Sequence, residues 1–574
     1  MKLKLPPLSA DPLARVSQAY RNIEAADRPE VWIGLRSEGE VAAEAEQLKR
    51  RFAGQEPPAL YGVLVAVKDN IDVAGLPTTA ACPSYAYLPA ANAPAVQRLV
   101  DAGAIVIGKT NLDQFATGLV GTRSPHGAVR NAHDPEMVSG GSSSGSAVAV
   151  ALGLVDVALG TDTAGSGRIP AAFNHLYSIK ATVGYAPLDG VVPACPSYDC
   201  INVFAQSLKL AGEVTAAVGV PADSSLVARV LPSTYPLAAR AVPTIAVASI
   251  DQLPGLQESW REAYREAVAG IEATGWRTRT VDITALIEAG ELLYSGALVA
   301  ERHASVGAIV EQGASDLDPT VAHIIRKAAD KSASDLARDQ MKVAAYRRQS
   351  LSLLHGADAL LLPTAPFHPS IAEVAADPLG VNSRLGVYTT FLNVLDMAAV
   401  AFPSPFDEKF GLSFIGRAHE DQALIDLTSR FAGVAAPTRG LYPELEIGVF
   451  GAHMRGEPLN EQLQGFGAAY VRDITTEAAY RLLALPSDTA VTKVALTTTE
   501  NGRPITGELW RLSPAALGTL LSSVGEPQSL GKIRIDDGTQ VCAFLADSTQ
   551  SAGARDISEF GGWRSFVASA LVQN

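Results

Sequence analysis

Apolar residues follow two rhythms along this chain. Short β-branched runs, Tyr61 to Val67 and Ala104 to Ile107, alternate with helix-like segments such as Ala95 to Ala102. Val155 to Leu159, Thr244 to Ala248 and Ala359 to Leu362, the last just before Pro363, are further candidates for buried strands. Between them lie longer patterns in which apolar residues recur at three and four, notably Leu256 to Ala273 and Ser315 to His355, so the spacing predicts helices there. This alternation predicts a large α/β domain, a sheet with helical cover, over about the first 430 residues.

At Gly433 to Glu446 the sequence turns to GVAAPTRGLYPELE, whose prolines and glycines mark a linker. Beyond it, Ile447 to Gly451, Ala490 to Thr497, Gly507 to Arg511, Lys532 to Ile535 and Thr539 to Leu545 are short strand-like runs separated by turn residues. The expected organisation is an α/β domain over 1–433, a linker over 434–446 and a smaller, β-rich α+β domain over 447–574. Helical patterns from Ala10 to Glu24 and Val41 to Arg51 could supply a homodimer surface or serve only for packing.

Composition narrows the function classes. With 47% hydrophobic and 18% charged residues in 574, the chain is globular rather than disordered or fibrous. A formal charge of −14 and the lack of a Lys/Arg run argue against a nucleic acid or an anionic membrane surface as partner. The four cysteines, Cys82, Cys195, Cys200 and Cys542, form no CxxC pair and read as reduced thiols of a cytoplasmic protein. No secretory signal is expected at the N-terminus, and the longest apolar region, Ala147 to Gly160, is interrupted by Asp156 and too short to cross a bilayer. None of the nine histidines pairs with another ligand at metal-binding spacing, so neither metal nor cofactor is expected.

The most unusual stretch is SGGSSSGSA at Ser139 to Ala147, followed by GTDTAGSGRIP at Gly160 to Pro170. A Gly/Ser tract alone is compatible with a flexible linker. Here it runs into the apolar helix former Ala147 to Leu154, which would place the serines at a helix N-terminus with free backbone amides. Three catalytic readings compete. Gly141 to Gly145 fits a G-x-S-x-G elbow with Ser143 as nucleophile, but the preceding RNAHDPEMV is polar and not strand-like. The second segment has the glycines of a phosphate loop but lacks its G-K-[ST] lysine. In the third, a serine is activated by a lysine through a second serine, with glycine-rich backbone stabilising an oxyanion. That chemistry needs a buried lysine of lowered pKa, for which Lys68, at the end of an apolar run, is the candidate.

VAVKDNIDVAGLPTT, GKTNLDQFATGLVGTRSPHG, SGGSSSGSAVAVALG and GTDTAGSGRIPAAFN resemble, in order and spacing, the amidase signature family. The resemblance implies a mixed central sheet covered by helices and a Ser-cisSer-Lys triad. On it Ser166 is the nucleophile, Ser142, after a cis peptide bond, relays the proton, and Lys68 is the general base and then acid. The amides of Thr163, Ala164, Gly165 and Ser166 would face the oxyanion.

The less generic segments, TNLDQFATGLVGTRSP, LLYSGALVAER, GAHMRGEPLNEQL and AGARDISEFGGWR, resemble the allophanate hydrolases across nearly the whole chain. YSIKATVG, where the family has a GLKPT-like segment, and the short PFDEKFG depart from the pattern. The resemblance implies that Arg302 pairs with a substrate carboxylate, that Tyr294 donates to a polar atom of the substrate, and that the Gly118 amide contributes. Arg302 and Tyr294 are expected on one face of a single helix, eight residues apart. It also implies a biotin-dependent urea carboxylase as upstream supplier. The second domain would remove CO₂, with His453 beside Gly451 and Gly456 as its candidate proton donor. The alternatives are an amidase of another small amide or ureide, or a noncatalytic assembly subunit.

Overall fold

The run LVAVK shows no polar alternation because the strand it forms, Leu64–Lys68, is buried along its whole length. It pairs in parallel with Ile105–Thr110 on one side and Val157–Asp162 on the other, Val67 lying opposite Leu159. Three parallel strands therefore end at one edge of the sheet, where ligands of α/β proteins gather. The computed structural model that reveals this describes residues 3–219, 229–407, 409–486, 492–546 and 553–572.

The chain divides into two units, one of residues 1–231 and 242–441 and one of 232–241 and 442–574. The segment Pro232–Ala241 clusters with the second unit because its backbone bonds there: the amides of Leu237 and Ala238 donate to Gly467 O at 2.8 and 3.2 Å. A boundary read only from the Gly433 to Glu446 composition had no access to that excursion.

The first unit is built on an eleven-stranded mixed sheet. Beside the parallel strands, Cys200–Ala205 runs antiparallel to Val157–Asp162, placing Asp162 opposite Cys200. The sheet continues through Tyr177–Lys180, Met397–Pro403, Gly411–Arg417, Ala359–Pro363, Thr244–Ala248 and Arg277–Val281. The helix expected near Leu256 to Ala273 is Glu258–Ala273, which buries Trp260, Ala263, Tyr264, Ala267 and Ile271 at helical spacing. Ser315 to His355 is not one helix. Asp318 caps Pro319–Arg326, a short 3₁₀ turn follows, and a capping box between Ser332 and Asp335 starts Ala333–Leu353 afresh.

The second unit is an eight-stranded mixed sheet. Its core gathers Ile447, Leu482, Leu496, Leu512, Val541 and Ala543, all at most 1% exposed. The strand expected from Ala490 to Thr497 is Val494–Thr498, and Ala490 and Val491 lie outside the described residues. No helix among the described residues is long and apolar enough to cross a membrane.

Candidate active site

The Gly/Ser tract is not a linker: Ser143 caps the buried helix Ser144–Ala151, and its Oγ donates to Thr161 O at 3.1 Å. Ser146 Oγ likewise bonds Leu159 O at 2.9 Å. These bonds let serines sit in a helix packed on the sheet without stranded polar groups. One residue upstream, the Gly141–Ser142 peptide bond is cis. Gly141 is required there, because a Cβ would collide with the Asp113 carboxylate and the Gly121 amide.

Lys68, 0% exposed, reaches into this corner. Its Nζ lies 2.8 Å from Ser142 Oγ, 2.8 Å from Thr161 Oγ1 and 3.5 Å from Thr161 O. Burial pulls its pKa down to about 7, against the opposing pull of Asp113, Asp199 and Asp162. An amine balanced there can accept a proton from a hydroxyl and return it. Asp113 braces the opposite wall, accepting the amides of Val120, Gly121 and Arg123 at 3.2, 3.0 and 3.0 Å.

Ser166 is 2% exposed, and its Oγ donates to Gly118 O at 3.4 Å. The Ser143 amide donates to Ser166 O at 3.4 Å, so the two serine-bearing segments touch directly. The loop carrying Ser166 is shaped by Asp162. Its carboxylate accepts the amides of Gly165 and Gly167 at 2.9 and 3.0 Å and the Arg168 guanidinium at 3.0 and 2.8 Å. Burial opposes the Asp162 charge, but Arg168 and these donors hold its carboxyl below the usual range. Arg168 is anchored in turn by Thr389 O and Asn393 Oδ1, both at 2.9 Å.

This arrangement corrects the expected oxyanion row. The Gly165 amide is committed to Asp162. Those of Thr163, Ala164 and Ser166 have no acceptor among the described residues. Gly165 serves the loop in another way, since its φ of +128° and its packing against Thr389 leave no room for a Cβ.

Arg302 is 1% exposed. One nitrogen donates to Thr117 Oγ1 at 2.9 Å and another to Tyr294 OH at 3.4 Å, with the guanidinium 5.1 Å from the Tyr294 ring centre. Its Nε has no partner, and among the described residues no carboxylate forms an ion pair with it. The shared helix is a further correction. Thr284–Glu291 ends before Tyr294, Arg302 belongs to Ala300–Gln312, and the intervening turn folds the two side chains together. Tyr294, Leu119, Asn382 and Thr390 line a cavity of about 410 Å³, and Thr390 Oγ1 reaches Ala164 O at 3.4 Å. Gly118 presents its carbonyl to Ser166. Thr117, Thr161 and Asp162 were missed by sequence reasoning although they lie inside or beside the quoted motifs, because nothing in spacing shows which motif residues touch.

In the second unit His453 follows the strand Leu445–Val449 and lines a separate cavity of about 240 Å³ with Lys493, Gln462, Gln528 and Phe544. Its Nε2 lies 2.9 Å from Gln462 Oε1, and its ring stacks on Phe544 with centres 5.1 Å apart. Burial lowers its pKa from the ordinary histidine value. A histidine without visible partners in the sequence thus has two in the fold.

Residues 15–425 match the amidase family model. The chain belongs to the amidase family. Residues 445–568 of this amidase match the allophanate hydrolase C-terminal domain. Among solved structures it is similar to Kluyveromyces lactis allophanate hydrolase, with 36% identity and a TM-score of 0.83 over 98% of this chain and 97% of that one. Urea amidolyase of Saccharomyces cerevisiae is 38% identical over 93% of this chain, which spans 31% of that protein's length. Mandelamide hydrolase of Pseudomonas putida is 36% identical over 41% of this chain and 45% of its own length.

Proposed function

We propose that this amidase hydrolyses allophanate, with Ser166 as nucleophile, Ser142 as proton relay and Lys68 as base and then acid. The observation that carries the reading is the buried Lys68 amine 2.8 Å from the Ser142 hydroxyl, on the same sheet edge as the Ser166 loop. Ser166 Oγ attacks the terminal amide carbon while its proton passes through Ser142 to Lys68. The amides of Thr163, Ala164 and Ser166 take the developing oxyanion. The proton then returns to the leaving nitrogen, ammonia departs, and water, activated by the same relay, frees Ser166 and a dicarboxylated amine.

Arg302 supports a substrate carrying a carboxylate, since a buried guanidinium without an anionic partner is costly until one arrives. Tyr294 would orient that carboxylate, and the segment around Gly118 would close the pocket floor. His453 is the candidate donor to nitrogen as CO₂ leaves the dicarboxylated amine in the second unit. Likeness to urea amidolyases supports a biotin-dependent urea carboxylase as the source of substrate. The free thiols suit a cytoplasmic setting. The helices Pro12–Ala26 and Glu38–Arg51 are the homodimer surface to be tested by solution mass.

The decisive assay is ammonia release from allophanate compared with biuret, malonamate and uncharged amides. Preference for allophanate is expected. Release only from another amide would reassign the substrate, and release from none would leave an assembly subunit.

A further inference from the structure

Behind the oxyanion amides lies a buried carboxylate for which the hydrolysis above has no use. Asp199, 2% exposed, forms no ion pair among the described residues. The register that sets Asp162 opposite Cys200 brings the next residues outward, Thr163 and Asp199, side by side. Asp199 Oδ1 accepts the Thr163 hydroxyl and the Cys195 amide, the latter at 3.2 Å. Oδ2 accepts the amides of Ala194 and Cys195 at 2.8 and 3.1 Å. A carboxylate that merely closed the 194–199 turn would need only those amides. The bond to Thr163 instead crosses to the neighbouring strand's loop, onto the first residue of the oxyanion row.

We propose that Asp199 is a positioning residue for amide hydrolysis, gripping the Thr163 hydroxyl so that the Thr163 amide stays aimed at the developing oxyanion. The inference rests on Ser166 as nucleophile. Lys68 and Arg302 are the cations that feel Asp199, and the Cys195 and Cys200 thiols lie in its field. Burial pushes the Asp199 carboxyl up to about 6, so it is mostly ionised at neutral pH. That charge helps hold Lys68 protonated, acting against burial. A neutral residue at 199 must therefore weaken the grip on Thr163 and also ease proton loss from Lys68.

The test compares Asp199→Asn, Thr163→Val and their double variant in the full chain, with allophanate as substrate. Each single variant should lose roughly tenfold or more in kcat with KM little changed, since an oxyanion donor is misplaced rather than a binding group lost. The double variant should lose no more than the worse single one. The acid limb of kcat/KM should move to lower pH in Asp199→Asn, and by less in Thr163→Val, which keeps the carboxyl but loses the hydroxyl that helps hold it ionised. A kcat at the wild-type level in either single variant, losses that multiply in the double variant, or an unmoved acid limb in Asp199→Asn would each overturn the proposal. Should Asp199→Asn fail to fold, Thr163→Val decides by its kcat alone. A parallel Ser166→Ala preparation keeps the two readings apart: turnover retained there removes the nucleophile assignment, whatever Asp199 does.

Discussion

The two candidate sites solve the problem of buried polarity in opposite ways. At the carboxyl edge of the first sheet, Lys68, Asp113, Asp162, Arg168, Asp199 and Arg302 are all nearly inaccessible. Only Asp162 and Arg168 form an ion pair with each other. Asp113 and Asp199 are met by neutral donors, Lys68 by hydroxyls, and Arg302 by Thr117 and Tyr294. In the second unit one half-buried imidazole stands against a phenyl ring and an amide, in a cavity with Val449, Phe450, Val494 and Leu496 on its walls. In the first arrangement burial moves Lys68 and Asp199 toward their neutral forms, the amine down to about 7 and the carboxyl up to about 6. The second sets one imidazole and the Lys493 amine in a mostly apolar lining. Such a contrast fits a unit that breaks a stable amide and one that assists an easier loss of CO₂.

The comparison breaks most sharply at Ser166. If Ser166 is the nucleophile as proposed, Ser166→Ala should lower ammonia release from allophanate by about 10⁴-fold or more, because the acyl-forming hydroxyl is gone. The fold should survive, since one hydroxyl with a single 3.4 Å bond is removed. Mass spectrometry of the quenched enzyme should show an acyl adduct in wild type and none in the variant. Wild-type-like turnover would move the nucleophile elsewhere.

Lys68 comes next. Lys68→Ala should lose about 10²- to 10⁴-fold at neutral pH, the usual range for a general base. On the proposed mechanism the base is the neutral amine, whose pKa burial pulls down to about 7. Activity should therefore rise as pH increases through about 7 and level off above it. A profile flat from pH 5 to 8 would take Lys68 out of the proton relay.

These positions show what the sequence could and could not disclose. Lys68, Ser142 and Ser166 could be singled out as candidates because each sits in a long motif, and the fold buries all three, with Lys68 on Ser142. The expected lowering of the Lys68 pKa followed from its apolar run. The Asp199 contact to Thr163 was not legible, because it depends on the antiparallel register of Cys200–Ala205, a strand whose CINVFA sequence gives no alternation to read. The same absence of alternation hid Met397–Pro403 and Gly411–Arg417, both almost wholly buried. Helical spacing also misplaced Tyr294: the turn over 292–295 and the short 3₁₀ segment Ala297–Val299, not a shared helix face, bring it to Arg302. Local pattern reports burial, whereas a catalytic pocket is assembled by register and turns.

Arg302 tests whether the first site is selective for an anion. Arg302→Ala should lower kcat/KM for allophanate by about 10²-fold, within the cost of losing one partner of a buried charged contact. An uncharged amide of similar size should lose far less, since it brings no carboxylate to pair. Equal losses on both substrates, with a lowered melting temperature, would make Arg302 a brace for Thr117 and Tyr294.

His453 carries the smallest expected effect on the overall rate, and it separates the two cavities most directly. If the second unit acts only after the amide is broken, His453→Ala should leave the first ammonia unchanged while CO₂ appears late. The dicarboxylated amine would persist meanwhile, visible by ¹³C NMR from labelled allophanate. Loss of the Phe544 stack should cost roughly 1 kcal/mol of stability, too little to unfold the unit. Burial already lowers the His453 pKa from the ordinary histidine value, which favours the neutral ring. A bound dianion would raise that pKa and supply the proton donor only when substrate is present. Gln462→Leu should mimic part of the His453→Ala delay, because the 2.9 Å contact to Gln462 raises the His453 pKa against burial and its loss leaves the ring a weaker candidate for protonation. If His453→Ala releases both CO₂ molecules on the wild-type schedule, the second cavity has no chemical step, and the contrast between the cavities is one of packing alone.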